Sequence, residues 1–144
     1  MKNKKKIKLN GSYIPSEKEK FMNPKQIEYF KNLLMNWKRD LLEGSSMTIN
    51  NLKEESSNKP DNADRASIES ERSLELRTRD RERKLLSKIN KALKKIEDGT
   101  YGYCEDTNQP ISIKRLIARP IATLSLEAQE MHEKSEKIFK EKEY

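Results

Sequence analysis

The sequence has very few of the residues that build disulfides, zinc sites or thiol-based catalytic sites. Its 144 residues include one cysteine, Cys104, and one histidine, His132. One cysteine cannot form an intramolecular disulfide, and the two residues together are too few for a conventional zinc site. These absences argue against a disulfide-bonded extracellular domain and against a thiol-dependent enzyme.

Long apolar runs and helix-breaking residues are also scarce. No run approaches the roughly 20 apolar residues that span a bilayer, and the lysine-rich start lacks the apolar stretch of a secretory signal. We therefore expect a cytoplasmic protein with no membrane segment. The chain has four Gly and five Pro, and its 33% hydrophobic and 38% charged residues are poor material for a large round core. A mostly α, elongated fold is expected.

The charge is unevenly distributed along the chain. The net charge is +7, and the first ten residues contain five lysines and no acid. A segment of this kind rarely forms a core, so residues 1–22 are predicted to be a basic, flexible N-terminal tail. The charge alone would suit nucleic acid, an anionic membrane or an acidic protein surface, and it does not choose among them.

A first long helix is predicted from Asn23 and Pro24, because Asn caps free backbone N–H groups and Pro suits the first helical position. It runs for about 34 residues. Apolar side chains recur along it at the alternating three and four spacing of one helical stripe, at Ile27, Phe30, Leu34, Trp37 and Leu41.

A second long helix is predicted from Asp64 to Asp98, after a break at residues 56–60 and before Gly99. If the chain reverses near Asp61, facing residues have numbers that sum to roughly 123 in an antiparallel pair. Residues 23–98 are therefore predicted to form an antiparallel coiled-coil hairpin with its tip at 58–66. The predicted inner face of the second helix is Ile68, Leu74, Leu85, Leu86, Ile89, Leu93 and Ile96.

The rest of the chain predicts a small lobe and a last helix. Residues 99–121 alternate turns with short apolar pieces, which is typical of a compact lobe. Residues 122–144 are expected to form a C-terminal helix, from about Ala122 to Lys140. The predicted lobe core is Tyr101, Tyr103, Ile111, Ile113, Leu116, Ile121 and Leu124.

The turn between the long helices places two carboxylates, Asp61 and Asp64, three residues apart. Taken alone, Asp64 is explained as a helix cap and Asp61 as a turn residue. The basic run on the second helix, Arg79 to Lys95, is by itself consistent with a solvated helix face.

Three further motifs give this turn a functional meaning. The stretch Ser73–Lys84, the tripeptide Gly102-Tyr103-Cys104 and the stretch Arg115–Pro120 follow it in order. Together with the acidic turn they resemble the DksA family of bacterial RNA polymerase-binding factors, over about residues 22–129. The resemblance implies a coiled coil that enters the secondary channel of the polymerase, with the lobe outside on the channel rim.

By this resemblance the protein regulates transcription and is not an enzyme. Asp61, Asp64 and Ala66 match the family's tip motif, which lies near the polymerase active centre, and Asp64 is the acid tied to activity. The factor alters the stability of promoter complexes, lowers ribosomal RNA transcription and raises some biosynthetic promoters, together with the alarmone guanosine tetraphosphate (ppGpp).

The resemblance also identifies candidate ppGpp-binding residues: Arg81, Leu85, Lys88 and Arg119. Arg and Lys are suited to this ligand because they pair with phosphate oxygens. One further family lysine is replaced by Gln129, which leaves the affinity for ppGpp in question.

The clearest departure from the family concerns zinc. The four cysteine positions of its classical members fall on Cys104, Thr107, Ser125 and Ala128, so three of the four thiolates are missing. We expect no zinc and a lobe held together by packing, as in the family's cysteine-poor, zinc-independent variants.

Two other functions use the same features. A transcript-cleavage factor of the Gre-like kind would use the tip acids to hold a catalytic Mg²⁺. A basic nucleic-acid-binding protein would use the lysines, but no helix-turn-helix, zinc finger or aromatic stacking surface supports this function, and we expect no direct sequence-specific DNA binding. An intramolecular hairpin covers its own apolar seam and therefore favours a monomer.

Overall fold

The computed structural model describes residues 8–57 and 62–142, with side chains at 8–44 and 65–142. It contains four helices within these ranges: α1 (Pro24–Ser57), α2 (Asn62–Asp98), α3 (Ile113–Ala118) and α4 (Leu126–Lys142). The described residues include no β-strand, and Tyr103 and Pro110 form an isolated antiparallel bridge. The predicted mostly α fold, with a long helical hairpin, a small lobe and a terminal helix, is confirmed.

Helix α1 begins where the sequence predicts. Asn23 caps it, since its side-chain oxygen accepts a hydrogen bond from the Gln26 N–H at 2.9 Å. Pro24 occupies the first helical position, where its missing N–H costs nothing. The Gln26 side chain is fully buried, accepts from the Met22 N–H at 2.8 Å and donates to the Ser16 carbonyl at 3.2 Å. The helix start is therefore tied to the segment before it.

Helix α2 ends at Asp98, followed by Gly99 with a φ of +77°. Glycine adopts this left-handed conformation without a steric cost, and such a residue commonly follows a helix. The Thr100 N–H donates to the Lys95 carbonyl at 2.9 Å, which satisfies a carbonyl of the last turn.

Residues Met35–Lys91 form one compact unit, which contains the C-terminal part of α1 and most of α2. On α1, Trp37 and Leu41 are half-buried, as the predicted stripe requires, and on α2 Ile89 is fully buried. Leu74 is 64% exposed, however, so its prediction as an inner-face residue is wrong.

The reason for the position of Leu74 is the register of the seam on α2. The residues of this unit that are buried or half-buried at alternating spacings of three and four are Ile68, Arg72, Glu75, Arg79, Glu82, Leu86 and Ile89. Leu74 lies one position before this line. Four of these seven residues are charged and alternate in sign, and the apolar residues dominate only from Leu86 onward.

The second compact unit combines the described residues before Met35 with those after Lys91. Its buried core includes Phe30 and Leu34 from α1 and five of the lobe's apolar residues. Tyr101 packs its ring against Phe30 at 5.6 Å between centroids and donates from its hydroxyl to the Pro120 carbonyl at 2.7 Å. The buried lobe residues are Tyr101, Cys104, Ile111, Ile113 and Leu116.

The segment before α1 makes specific contacts in this unit, which the prediction of a flexible tail did not anticipate. Pro15 is buried, and the Tyr13 hydroxyl donates to a Glu19 carboxylate oxygen at 2.6 Å. The Phe21 ring lies edge-on to Tyr103 at 5.3 Å between centroids.

The last helix starts later than predicted, at Leu126 rather than Ala122. The cause is Ser125, whose hydroxyl accepts from the Ala128 N–H at 3.3 Å and whose carbonyl accepts from the Gln129 N–H at 2.9 Å. Serine is a favoured N-cap residue, so it marks the helix start.

Candidate functional site

The acidic turn lies at the N-terminus of α2. Asp64 is in the first turn of this helix, two residues after Asn62, and Ala66 follows with an exposed side chain. A carboxylate in the first turn interacts favourably with the positive end of the helix dipole. Asp61, also predicted for the tip motif, lies outside the described residues, as does the side chain of Asp64.

Three of the four candidate ppGpp-binding residues lie together on α2. Arg81, Leu85 and Lys88 are spaced four and three residues apart, which places them on one side of the helix. Arg81 and Lys88 are exposed, and Leu85 is half-buried between them. The two cations are separated by about 10 Å along the helix axis. This arrangement presents two anion-binding groups around an apolar side chain.

The fourth candidate, Arg119, follows α3 in the second unit. Its backbone N–H donates to the Arg115 carbonyl at 2.8 Å, while its side chain is exposed. Gln129, at the position of a further family lysine, donates from its side-chain amide to Glu133 at 3.2 Å. A neutral side chain already bonded to a carboxylate is a weaker partner for phosphate than a lysine.

Cys104 is the centre of a hydrogen-bonded group in the lobe. The residue is 1% exposed, and its N–H donates to the Gln109 carbonyl at 2.8 Å. Burial raises the pKa of its thiol, but hydrogen bonds from the Thr107 side chain and from backbone N–H groups at Ser125, Thr107 and Asp106 lower the pKa to about 6. The thiolate form is therefore stabilised by hydrogen-bond donors, whereas a metal ion stabilises the thiolates of a zinc site.

The four positions that match the family's cysteines come together around this sulfur. Thr107 and Ser125 donate hydrogen bonds to Cys104, and Ala128 is buried and bonded through its N–H to the Ser125 hydroxyl. A thiol, two hydroxyls and a methyl group do not supply the four soft or imidazole ligands of a structural zinc. This set of donors does not fit the metal.

His132 does not complete a metal site either. Its Nε2 atom lies 2.5 Å from a carboxylate oxygen of Asp106, so one ring nitrogen is already engaged by this exposed pair. Among the residues that the structure describes, no group of three or more His, Cys, Asp or Glu side chains could hold a metal ion.

Sequence reasoning missed the contact between the N-terminal segment and the family motif at Gly102. This glycine has a φ of +89°, and a Cβ atom placed on it would lie 3.0 Å from side-chain atoms of both Met22 and Phe21. The two bulky side chains directly before the Asn23–Pro24 helix start were the available signal, since such residues seldom stay in solvent.

None of the helices that the structure describes combines the length and the apolar character that a membrane crossing requires.

Comparisons with known proteins agree on one family. Two family models match the chain: the N-terminal domain of the DnaK suppressor protein DksA over residues 26–96, and the prokaryotic dksA/traR C4-type zinc finger over residues 99–134. The second match covers the lobe although Cys104 alone remains of its four cysteines.

Curated relatives match most of the chain. An RNA polymerase-binding transcription factor DksA from Caulobacter vibrioides is 56% identical over 131 residues, which are 91% of this chain and 92% of the relative. The protein of the same description from Escherichia coli K12 is 45% identical over 119 residues, which are 83% of this chain and 79% of the relative.

Among solved structures, transcription factor DksA2 from Pseudomonas aeruginosa matches with a TM-score of 0.76 and 38% identity, over 81% of this chain and 90% of that one. The hairpin, the lobe and the identity to relatives over nine-tenths of the chain lead to one assignment: this protein belongs to the DksA family.

Proposed function

We propose that this protein binds bacterial RNA polymerase and regulates transcription initiation by inserting its hairpin into the secondary channel. The observation on which the proposal depends is the match to RNA polymerase-binding relatives over 91% of the chain, with the acidic motif at the turn between the two long helices. The protein acts in the cytoplasm, as a monomer, and its effect comes from contact rather than from catalysis.

The tip acids exert this effect near the polymerase active centre. Asp61, Asp64 and Ala66 form the tip motif, and Asp64 is the charge that changes the stability of promoter complexes. It lies in the first turn of α2. Weakening an already unstable complex lowers ribosomal RNA transcription, and some biosynthetic promoters respond with increased transcription.

The alarmone ppGpp acts with the protein through Arg81, Leu85, Lys88 and Arg119. Exposed Arg and Lys side chains suit its phosphate groups, and the half-buried Leu85 offers an apolar contact. Gln129 removes one cation from this set, so we expect a lower affinity for ppGpp than in relatives with lysine there.

The lobe folds and supports activity without zinc. Cys104, Thr107, Ser125 and Ala128 form a hydrogen-bonded and packed group in place of a metal site. Activity is therefore expected to persist in a chelator that disables a four-cysteine relative.

The test is run-off transcription from a ribosomal RNA promoter with purified bacterial RNA polymerase, with and without ppGpp. The intact protein is compared with Asp64→Asn, and Glu69→Gln, an exposed acid on the same helix, is the matched control. We expect inhibition by the intact protein and by the control, and loss of inhibition in Asp64→Asn although polymerase binding persists.

Equal inhibition by Asp64→Asn would contradict the tip mechanism. The same proteins added to a stalled elongation complex test the Gre-like alternative, since a cleavage factor shortens the nascent RNA and a regulator of initiation leaves it intact.

A further inference from the structure

An exposed row of five cations runs along α2 and extends beyond the proposed ppGpp contacts. Its members are spaced alternately by four and three residues, which keeps them within an arc of about 80° on the helix surface. All five side chains are exposed. We call this surface the basic stripe, and it consists of Arg77, Arg81, Lys84, Lys88 and Lys91.

The basic stripe concentrates the charge of the protein. Residues 77–91 contain seven basic and two acidic side chains, a net charge of +5, in a chain whose total is +7. The acid nearest the stripe, Asp80, lies 3.9 Å from Arg83 outside the arc. Among the described side chains, no ion pair involves a member of the stripe.

The next cation in the same line on α2, Lys95, forms an ion pair, and the stripe ends before it. Lys95 lies four residues after Lys91 and pairs with Glu105 at 2.6 Å. The cations before it are exposed and form no ion pair among the described side chains, so the stripe is a row about 21 Å long.

The composition of this face favours phosphate over an acidic protein partner. In the same arc toward the helix N-terminus lie Ala66, Ser70 and Ser73, all exposed, and Leu74 lies at its edge. Protein interfaces have an apolar or aromatic core and are depleted of lysine. Phosphate backbones, in contrast, are contacted by Arg, Lys and Ser side chains.

The spacing of the stripe also matches a nucleic-acid backbone. A duplex carries one phosphate per strand about every 3.4 Å of its axis, so a basic surface about 21 Å long lies against several phosphates. No Asn, Gln, Asp or Glu side chain and no aromatic residue lies in the arc between Ala66 and Lys91, and its Arg and Lys side chains form a row that suits phosphates. Recognition by the stripe is therefore independent of sequence.

We propose that the basic stripe of α2 binds the phosphate backbone of a nucleic acid. This contact is separate from the tip and does not depend on the polymerase. It provides sequence-independent affinity in addition to the proposed function.

The test measures binding of fluorescein-labelled oligothymidine, and of a labelled duplex, to the full-length protein without polymerase over a range of salt concentrations. The variant is Arg77→Gln/Lys84→Gln/Lys91→Gln, which leaves Arg81 and Lys88 intact. The matched control is Lys134→Gln/Lys137→Gln/Lys140→Gln, which removes the same charge from exposed positions of α4.

We expect the stripe variant to bind at least one probe about tenfold more weakly or worse. Each phosphate contact contributes about 0.7 to the salt slope for a single strand, so its slope should fall by about 2. The control variant should keep most of the slope. Circular dichroism checks the fold, and Lys84→Gln alone, with an expected fall of about 0.7, provides a milder version of the test.

Three results would overturn the proposal. The first is no binding of either probe by the intact protein. The second is an equal loss in the stripe and control variants, because net charge alone would then explain the affinity. The third is displacement of the probe by poly-glutamate as effectively as by unlabelled oligonucleotide, because the stripe would then suit an acidic protein segment.

Discussion

Gly102 lies directly against Met22, so that a Cβ atom on the glycine would be 3.0 Å from the terminal methyl group of the methionine. The contact joins the segment before α1 to the lobe, and the Ile111 N–H donates to the Gly102 carbonyl at 2.7 Å in the same turn. The left-handed backbone at this position therefore favours glycine, and a Cβ atom there would also require the Met22 and Phe21 side chains to shift.

We expect Gly102→Ala to lower the free energy of unfolding by about 1–3 kcal/mol, because alanine at a φ of +89° is strained and its methyl group meets Met22 and Phe21. Urea unfolding followed by circular dichroism measures this. Gly11→Ala is the control, since no atom lies within 4 Å of a Cβ there. Equal stability of the two variants would show that the contact at Gly102 is not tight.

The hydrogen bonds to Cys104 predict a pH dependence of stability. Its pKa of about 6 in the folded protein lies below the ordinary value of 9.0, so folding favours the thiolate. This contribution is fully present above pH 9 and is lost as the pH falls through about 6. The free energy of unfolding should therefore rise with pH between these values, and the thiolate absorbance should titrate near the lower one.

Cys104→Ala is the variant that isolates this effect. It removes the titrating group and should flatten the difference in stability between pH 6 and pH 9. If the slope survives in Cys104→Ala, another group is responsible.

Removal of metal is expected to leave the fold unchanged. The lobe has one thiol where the family's zinc finger has four, so a chelator has no structural zinc to extract. The melting temperature in the presence of EDTA should equal that in its absence, whereas a four-cysteine relative should be destabilised. A drop of several degrees in this protein would indicate a metal site.

The charged half of the α2 seam predicts a stabilising substitution. One carboxylate oxygen of Glu75 is buried and has no hydrogen-bond partner among the described residues. An unsatisfied buried oxygen costs about 1–3 kcal/mol, so Glu75→Leu should raise the free energy of unfolding by about 1 kcal/mol or more. Glu71→Leu, at an exposed position one turn earlier, should change it by no more than about 0.5 kcal/mol.

Local signals predicted the long helices well. Asn23 and Pro24 mark the start of α1, and Gly99 marks the end of α2, because capping and left-handed conformations depend on single residues. The apolar face of α1 was likewise predictable from the sequence, since Phe30 and Leu34 are fully buried as expected. The pairs predicted across the hairpin stay predictions.

Features that depend on tertiary contacts could not be predicted from the sequence. Leu74 was assigned to the inner face because it is apolar, yet the charged residues Arg72 and Glu75 occupy the seam beside it. The lysine-rich start suggested a flexible tail for residues 1–22. The contacts of Tyr13 with Glu19 and of Phe21 with Tyr103 were therefore not predicted. At the candidate site, the expected absence of zinc stays a prediction, and the residue types did not predict the donors from Thr107 and Ser125 that surround Cys104.

The change from charged to apolar residues along the α2 seam also sets the order in which the hairpin opens. Backbone amides near Ile89 are protected by apolar side chains whose exposure to water is unfavourable, whereas those between Arg72 and Glu82 are protected by charged side chains that lose little on hydration. Hydrogen exchange should therefore be slow near Ile89 and progressively faster toward Arg72. The half of the helix nearer the acidic turn can then adapt to a binding site without unfolding the rest.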